Sequence, residues 1–202
     1  MSTYGEMQTR IATEIVRDNI NNEIKSAIQS AIKFYENTRF WFNEVTATAL
    51  TAVNQNRYPV PTNLIELDSL NITVNGNQDE LERRDWSYIN SIQVSASTGV
   101  PTDYAIYRDE LYLYPTSDAV YTLTMAYVKS LPVLSNDSDT NSWMTDAEIL
   151  IRSKAKYNLY TNLIRDYEAA SIMRGEEKEA LINLLGLTAR KIISGKIRPT
   201  QF

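Results

Sequence analysis

Hydrophobic positions along the 202-residue chain change their period twice. Near the start, Met7, Ile11 and Ile15 stand four apart, the spacing that lines one side of an α-helix. Thr3 and Glu6 ahead of them have capping-box spacing, in which each side chain satisfies a backbone N–H at the helix start. A second stripe, Ile24, Ala27, Ile28, Ala31, Ile32 and Tyr35, predicts another helix with Asn21 as its cap. The stretch Phe34 to Phe42 then holds five aromatic residues in nine positions. Phe40, Trp41 and Phe42 can anchor the helix end in the core, the favoured use, or form an exposed docking patch.

From Asn43 the pattern becomes strand-like. Val45 to Val53 is rich in Thr and Val, and Leu70, Ile72 and Val74 alternate within a strand expected over Leu64 to Val74. Arg57-Tyr58-Pro59-Val60-Pro61 reads as a rigid turn or sheet edge, because each proline removes a backbone donor. Asn75-Gly76 signals a tight reversal, with Leu81 beginning the returning strand. Arg84 to Ile92 predicts one or two helical turns carrying Trp86, Tyr88 and Ile89. After a turn at Gly99-Val100-Pro101, Tyr104 to Tyr107 and Leu111 to Tyr114 form a hairpin around Arg108-Asp109-Glu110. Tyr121 to Val128 alternates once more, for about five or six strands in all.

Leu131 to Ser142 is polar and reads as a linker, and Asp137 and Asp139 in it are expected to be solvated. Helix then returns, with Thr145 and Glu148 at capping-box spacing. Ala147, Ile151, Ala155, Leu159, Leu163 and Tyr167 lie four apart and predict a single helix of five or six turns. Gly175 is expected to interrupt, a helix to run from Glu176 to Leu185 and end near Gly186, and a short one to follow over Leu187 to Ile193. The order is helices, strands, helices. It predicts an α+β fold in which a helical body, 1–42 and 143–193, carries an inserted, mostly antiparallel β lobe at 43–130. A linker at 131–142 and a tail at 194–202 complete the expected organisation.

Composition removes most chemistry. The chain has no cysteine and no histidine, which excludes disulfides, thiol catalysis and every imidazole mechanism. An all-carboxylate site for a hard cation stays open, and with it a carboxylate-metal hydrolase. Its only candidate cluster, Asp79, Glu80, Glu82 and Asp85, lacks the offsets of a calcium loop and reads better as a solvated loop. With six glycines there is neither GxGxxG nor a P-loop, so no cofactor is expected. Thirteen tyrosines point mildly towards interfaces. No run of 18 apolar residues occurs, and the first fifteen residues do not read as a signal peptide, so no membrane contact is expected and synthesis is assigned to a reducing compartment.

The net charge of -5 is an average of unlike parts. Residues 43–142 carry thirteen acidic and five basic residues, whereas residues 143–202 carry seven acidic and ten basic. Arg190, Lys191, Lys196 and Arg198 fall in Leu187 to Phe202, which holds no acid. Three readings are open: a docking peptide using Ile197, Pro199 and Phe202 as well, a phosphate contact, or a basic helix end with a frayed tail.

The chain also resembles the head-to-tail adaptor, or head-completion, proteins of tailed bacteriophages. The resemblance rests on Tyr4-Gly5-Glu6, Arg10-Ile11-Ala12, Ala31 to Glu36 and Arg39-Phe40-Trp41-Phe42-Asn43-Glu44. It continues through Tyr58 to Pro61, Gly99-Val100-Pro101, Tyr104-Ala105-Ile106, Leu113-Tyr114-Pro115, Asn141-Ser142-Trp143 and Ala155 to Tyr160. It implies a non-enzymatic virion protein at the head-tail junction, made in the host cytoplasm. Copies, typically twelve, would form a ring beneath the portal protein, continue the channel for passing double-stranded DNA, and offer a platform to a downstream tail or nozzle protein. It also implies that 194–202 is a portal-docking arm using Lys196, Ile197, Arg198, Pro199 and Phe202, with Arg190 and Lys191 facing portal or channel. A monomeric protein-binding or assembly module is the alternative.

Overall fold

The computed structural model describes residues 2–17, 19–93 and 97–192. They fall into two compact units, one made by the residues up to Asn43 and from Leu131 onward, the other being Glu44–Ser130.

The first unit is helical. It contains α1 (Tyr4–Ile15), α2 (Asn21–Tyr35), α4 (Ser142–Thr145), α5 (Glu148–Leu159), a π-helical turn (Tyr160–Ile164) and α6 (Tyr167–Ile192); α3 (Trp86–Ile92) belongs to the other unit. The capping box forms: the Glu6 N–H donates to Thr3 Oγ1 at 3.2 Å and the Thr3 N–H to Glu6 Oε2 at 3.0 Å. Asn21 is not a cap but the first helical residue, and Ile20 holds the cap position without a side-chain bond. Met7, Ile11, Ile24, Ile28, Phe40, Met144, Leu150 and Ile151 are buried together in one core. Each such side chain stabilises the unit by roughly 1.5–3 kcal/mol through loss of water contact.

Further helix boundaries differ from expectation. Thr145 ends α4 and does not cap α5, whose cap position is Ala147; the working cap is Asn141, which accepts from the Trp143 N–H at 2.9 Å. The stripe from Ala147 to Tyr167 is broken, because the π turn shifts its phase and Arg165 at φ 60° redirects the chain. Ala147, Ile151, Ala155 and Leu159 are therefore buried, while Leu163 and Tyr167 lie exposed beyond the break. Neither Gly175 nor Gly186 interrupts α6, which runs unbroken for 26 residues. Each glycine costs about 1 kcal/mol against alanine. The buried stripe Ala170, Glu177, Leu184 and Thr188 offsets that cost.

The expected linker also belongs to the helical unit. Leu134 is buried in its core, the Tyr4 N–H donates to the Asp139 carbonyl and the Gly5 N–H to the Asp137 carbonyl, each at 2.9 Å. Polar residues here make turns: Asp139 Oδ2 accepts from the Ser135 and Asn136 N–H groups at 2.8 Å. A Cβ on Gly5 would meet the Asp137 Cβ at 2.8 Å, so this close approach requires glycine.

Among the described residues the second unit has ten strands, more than the alternation predicts, because two-residue strands leave no pattern to read. One antiparallel sheet has the order β1 (Glu44–Leu50), β10 (Thr122–Lys129), β3 (Leu64–Val74), β4 (Asn77–Glu80). A second has the order β2 (Arg57–Pro59), β8 (Glu110–Tyr114), β7 (Asp103–Tyr107), β5 (Glu82–Arg83), the last pair parallel. A short parallel pair, β6 (Thr98–Gly99) with β9 (Thr116–Ser117), completes it. Leu70, Ile72, Leu123 and Met125 of the first sheet share a core with Tyr58, Tyr104, Leu111 and Leu113 of the second. Asn75 and Gly76, at φ 51° and 82°, make the tight hairpin between β3 and β4. The returning strand therefore starts at Asn77, and Leu81 instead closes the core, its N–H donating to the Leu70 carbonyl at 2.8 Å.

Candidate functional site

The polar side chains of the helical unit are engaged mainly with one another. Tyr35 on α2 donates its hydroxyl to Glu177 Oε1 on α6 at 2.5 Å. The Lys154 ammonium on α5 stands 3.1 Å from the same oxygen and 3.9 Å above the Phe34 ring. Glu177 is buried, so its charge requires this lysine. Burial first, then the hydrogen bond and charge of Glu177, push the Tyr35 hydroxyl far above its ordinary range. A second chain of pairs joins α1 to α5: Arg10–Glu148 at 2.6 Å, Arg152–Glu14 at 3.0 Å and Lys156–Glu14 at 2.7 Å. Both sets hold helices in register. Neither presents a nucleophile or an open coordination position.

The aromatic run closes one end of this core. Phe40 is fully buried, Phe42 stacks on it at 5.2 Å, and Trp143 meets both rings edge-on at 5.8 and 5.3 Å. Trp41 is half-buried and lies beneath the Lys191 ammonium, 4.1 Å from its ring centroid. Lys191 therefore ties the end of α6 to the turn after α2. Arg190 beside it is exposed. Lys196, Ile197, Arg198, Pro199 and Phe202 lie outside the described residues.

The acidic residues of the β unit do not converge on a site. Asp79 and Glu80 sit on the exposed strand β4, and Arg84 is shared between Glu82 at 2.6 Å and Asp103 at 2.7 Å. Among the described residues no group of three or more acidic, histidine or cysteine side chains could hold a metal. Asp137 and Asp139 are structural. Gln8 and Lys25 hold the Asp137 carboxyl below its usual range, and the Asn136 and Ser135 N–H groups do the same for Asp139. The Asn-Asp-Ser-Asp run at 136–139 carries the Asx-turn signal that could have revealed this.

What remains is surface. Opposite its buried stripe, α6 carries Ile172 and Ile182, the latter 69% exposed, with open space around Gly175 and Gly186. Leu50, Val53 and Val120 are exposed where β1 and β10 meet the loops at one end of their sheet. Among the described residues no helix is long and apolar enough to cross a membrane.

A family model described as SU10 adaptor protein matches residues 2–191. The chain belongs to the SU10 adaptor family. No curated protein matches it. Membership makes this SU10 adaptor a structural, non-catalytic head-to-tail adaptor at the head-tail junction of the virion. It also gives the adaptor its coarse partners: portal components, tail components and further copies of itself. An adaptor needs surfaces, and an interior that pairs its own charges while leaving apolar outer faces suits that work.

Proposed function

We propose that copies of this adaptor close into a ring of twelve beneath the portal, continue the channel through which double-stranded DNA passes, and present a platform to the next tail component. The family match over residues 2–191 carries this reading. A ring requires heterologous contacts, one surface meeting a different surface on the neighbour. The outward stripe of α6, with Ile172 and Ile182 beside glycines that permit close approach, is one such surface. Residues 43–130, with eleven acids against five bases, supply a wall that repels DNA and lets it slide. Residues 194–202 form the arm, in which Lys196 and Arg198 provide charge and Ile197, Pro199 and Phe202 provide apolar contact with the portal. Arg190 is placed beside it to face portal or channel.

Sedimentation of the purified chain with and without portal tests the reading. Ile182→Lys is expected to abolish ring formation while leaving the helical content unchanged. Deletion of 194–202 is expected to remove portal binding. Undiminished binding would remove the arm assignment.

A further inference from the structure

α5 and α6 form an antiparallel hairpin whose two ends differ. At the open end, a groove of about 550 Å³ lies between the first turn of α5 and the C-terminal half of α6. That is a usual size for a site that takes a ligand or a partner's side chains. Leu150 and Leu184 form its buried floor, and Ile149 and Leu187, both exposed, stand on its walls. Glu176 and Glu179 line its α6 side and are exposed. The one cation among its lining residues, Arg152, is already taken, standing 3.0 Å from Glu14 and 3.6 Å from Glu148. The groove is thus an apolar trough with surplus negative charge.

The closed end of the same hairpin carries the complementary chemistry. There the π turn and Arg165, at φ 60°, take the chain round a corner. Leu163 and Tyr167 are exposed on it, the latter by 69%, and Arg165 is exposed between them. Asp166 accepts from the Ala169 N–H at 3.0 Å and Glu168 lies in the first turn of α6, so the positive helix start offsets both acids. Arg165 is left as the corner's outward charge. An arginine in the left-handed region carries a strain that glycine would not. Arginine and tyrosine are also the types that dominate interface hot spots. Tyr167 and Leu184 stand seventeen residues apart on one unbroken helix, about 25 Å, so a copy cannot fill its own groove with its own corner.

We propose that the corner of one copy, Leu163, Arg165 and Tyr167, seats in the α5–α6 groove of a second copy. Leu163 and Tyr167 rest on Leu150 and Leu184, and Arg165 lies against Glu176 and Glu179. The contact joins two different surfaces, so it repeats head to tail from copy to copy. It rests on the reading of the chain as a ring subunit and names the surfaces through which neighbours meet.

Because the chain has no cysteine, an engineered pair reports contact without interference. Asn162 lies on the corner and Asn183 lines the groove, and both are exposed. Under mild oxidation with portal present, Asn162→Cys with Asn183→Cys is expected to give a ladder of disulfide-linked multimers on a denaturing gel, whereas either cysteine alone stays monomeric. Adding Arg165→Glu should slow the ladder about ten-fold, and adding Glu176→Arg and Glu179→Arg to that chain should restore it. Arg165→Gly should slow it about five-fold with no fall in the thermal midpoint, because glycine adopts φ 60° without strain. No ladder, a ladder indifferent to Arg165→Glu, or dimers from one cysteine alone would overturn the contact. Rings that form on the portal equally well with Arg165→Glu would overturn the contact and keep the ring. A ladder from a chain that forms no ring on the portal would keep the contact and remove the ring.

Discussion

The helical unit and the β unit solve the same problem in different ways. The helical unit buries an ionic centre, in which Glu177 meets both Tyr35 and Lys154, and adds partly exposed pairs among Arg10, Glu14, Glu148, Arg152 and Lys156 that link α1 to α5. The β unit keeps its core almost wholly apolar and aromatic and leaves its charges on the rim. Helices packed along smooth apolar faces can slide or rotate, and a buried charge pair penalises every register but one. Sheets already have register fixed by ladders and turns, so the β unit needs no buried charge. For a protein that meets other proteins on several sides, this matters: helices held in register give the assembly surfaces a fixed position.

The contrast can be broken most severely at its ionic centre. Lys154→Met leaves Glu177 buried without its ammonium and is expected to cost about 3–5 kcal/mol. Denaturant unfolding measures the loss, and hydrogen exchange should show it in α2, α5 and α6 with the β10 amides spared. Converting Glu177→Leu as well should recover most of it, because no charge then stays buried. Phe40→Ala, at the aromatic end of the same core, should cost a similar amount, about 3–5 kcal/mol. In the β unit, Leu123→Ala should cost about 2–5 kcal/mol and move the protection loss to β1, β3 and β10. A change in α5 and α6 protection would show that the two units do not respond separately.

Smaller effects sharpen the comparison. Gly76→Ala places a Cβ on a residue at φ 82° and is expected to cost roughly 1–2 kcal/mol, confined to the β3–β4 hairpin. The open space around Gly76 means that backbone strain alone is read. The smallest effect is in alkaline solution. Burial and Glu177 raise the Tyr35 ionisation above its ordinary value, so the stabilisation it provides is complete below about pH 10. Above that, the unfolded chain loses the proton first, and the contribution falls as the pH rises towards the folded-state value. A stability titration of Tyr35→Phe from pH 8 to 11 should show a shallower alkaline decline than the parent chain.

The parts that were legible in the sequence are those with a period. The stripes of α1 and α2, the alternation of β3 and β10, and the turn at Asn75-Gly76 each repeat a local rule. What escaped lacks one. The π turn at Tyr160–Ile164 changes the phase of an otherwise regular stripe, and Gly175 and Gly186 sit unharmed in α6 because its other side is packed. The segment 131–142 reads as a linker by composition, yet its polar groups serve α1 and their own turns. Glu177 is indistinguishable from its neighbours in the run Glu176-Glu177-Lys178-Glu179; only the packed helices select it for burial. The aromatic run was legible as a helix-end anchor, and no observation tests it as a docking patch. Phe40 is buried, while Trp41 stays half-buried under Lys191.

Purified chain imaged by electron microscopy, alone and mixed with portal, tests the adaptor reading most directly. The expected result is a closed ring of copies stacked on the tail-facing end of the portal, with an open central channel. Portal particles that carry no added ring, beside a chain that remains a monomer, would contradict it.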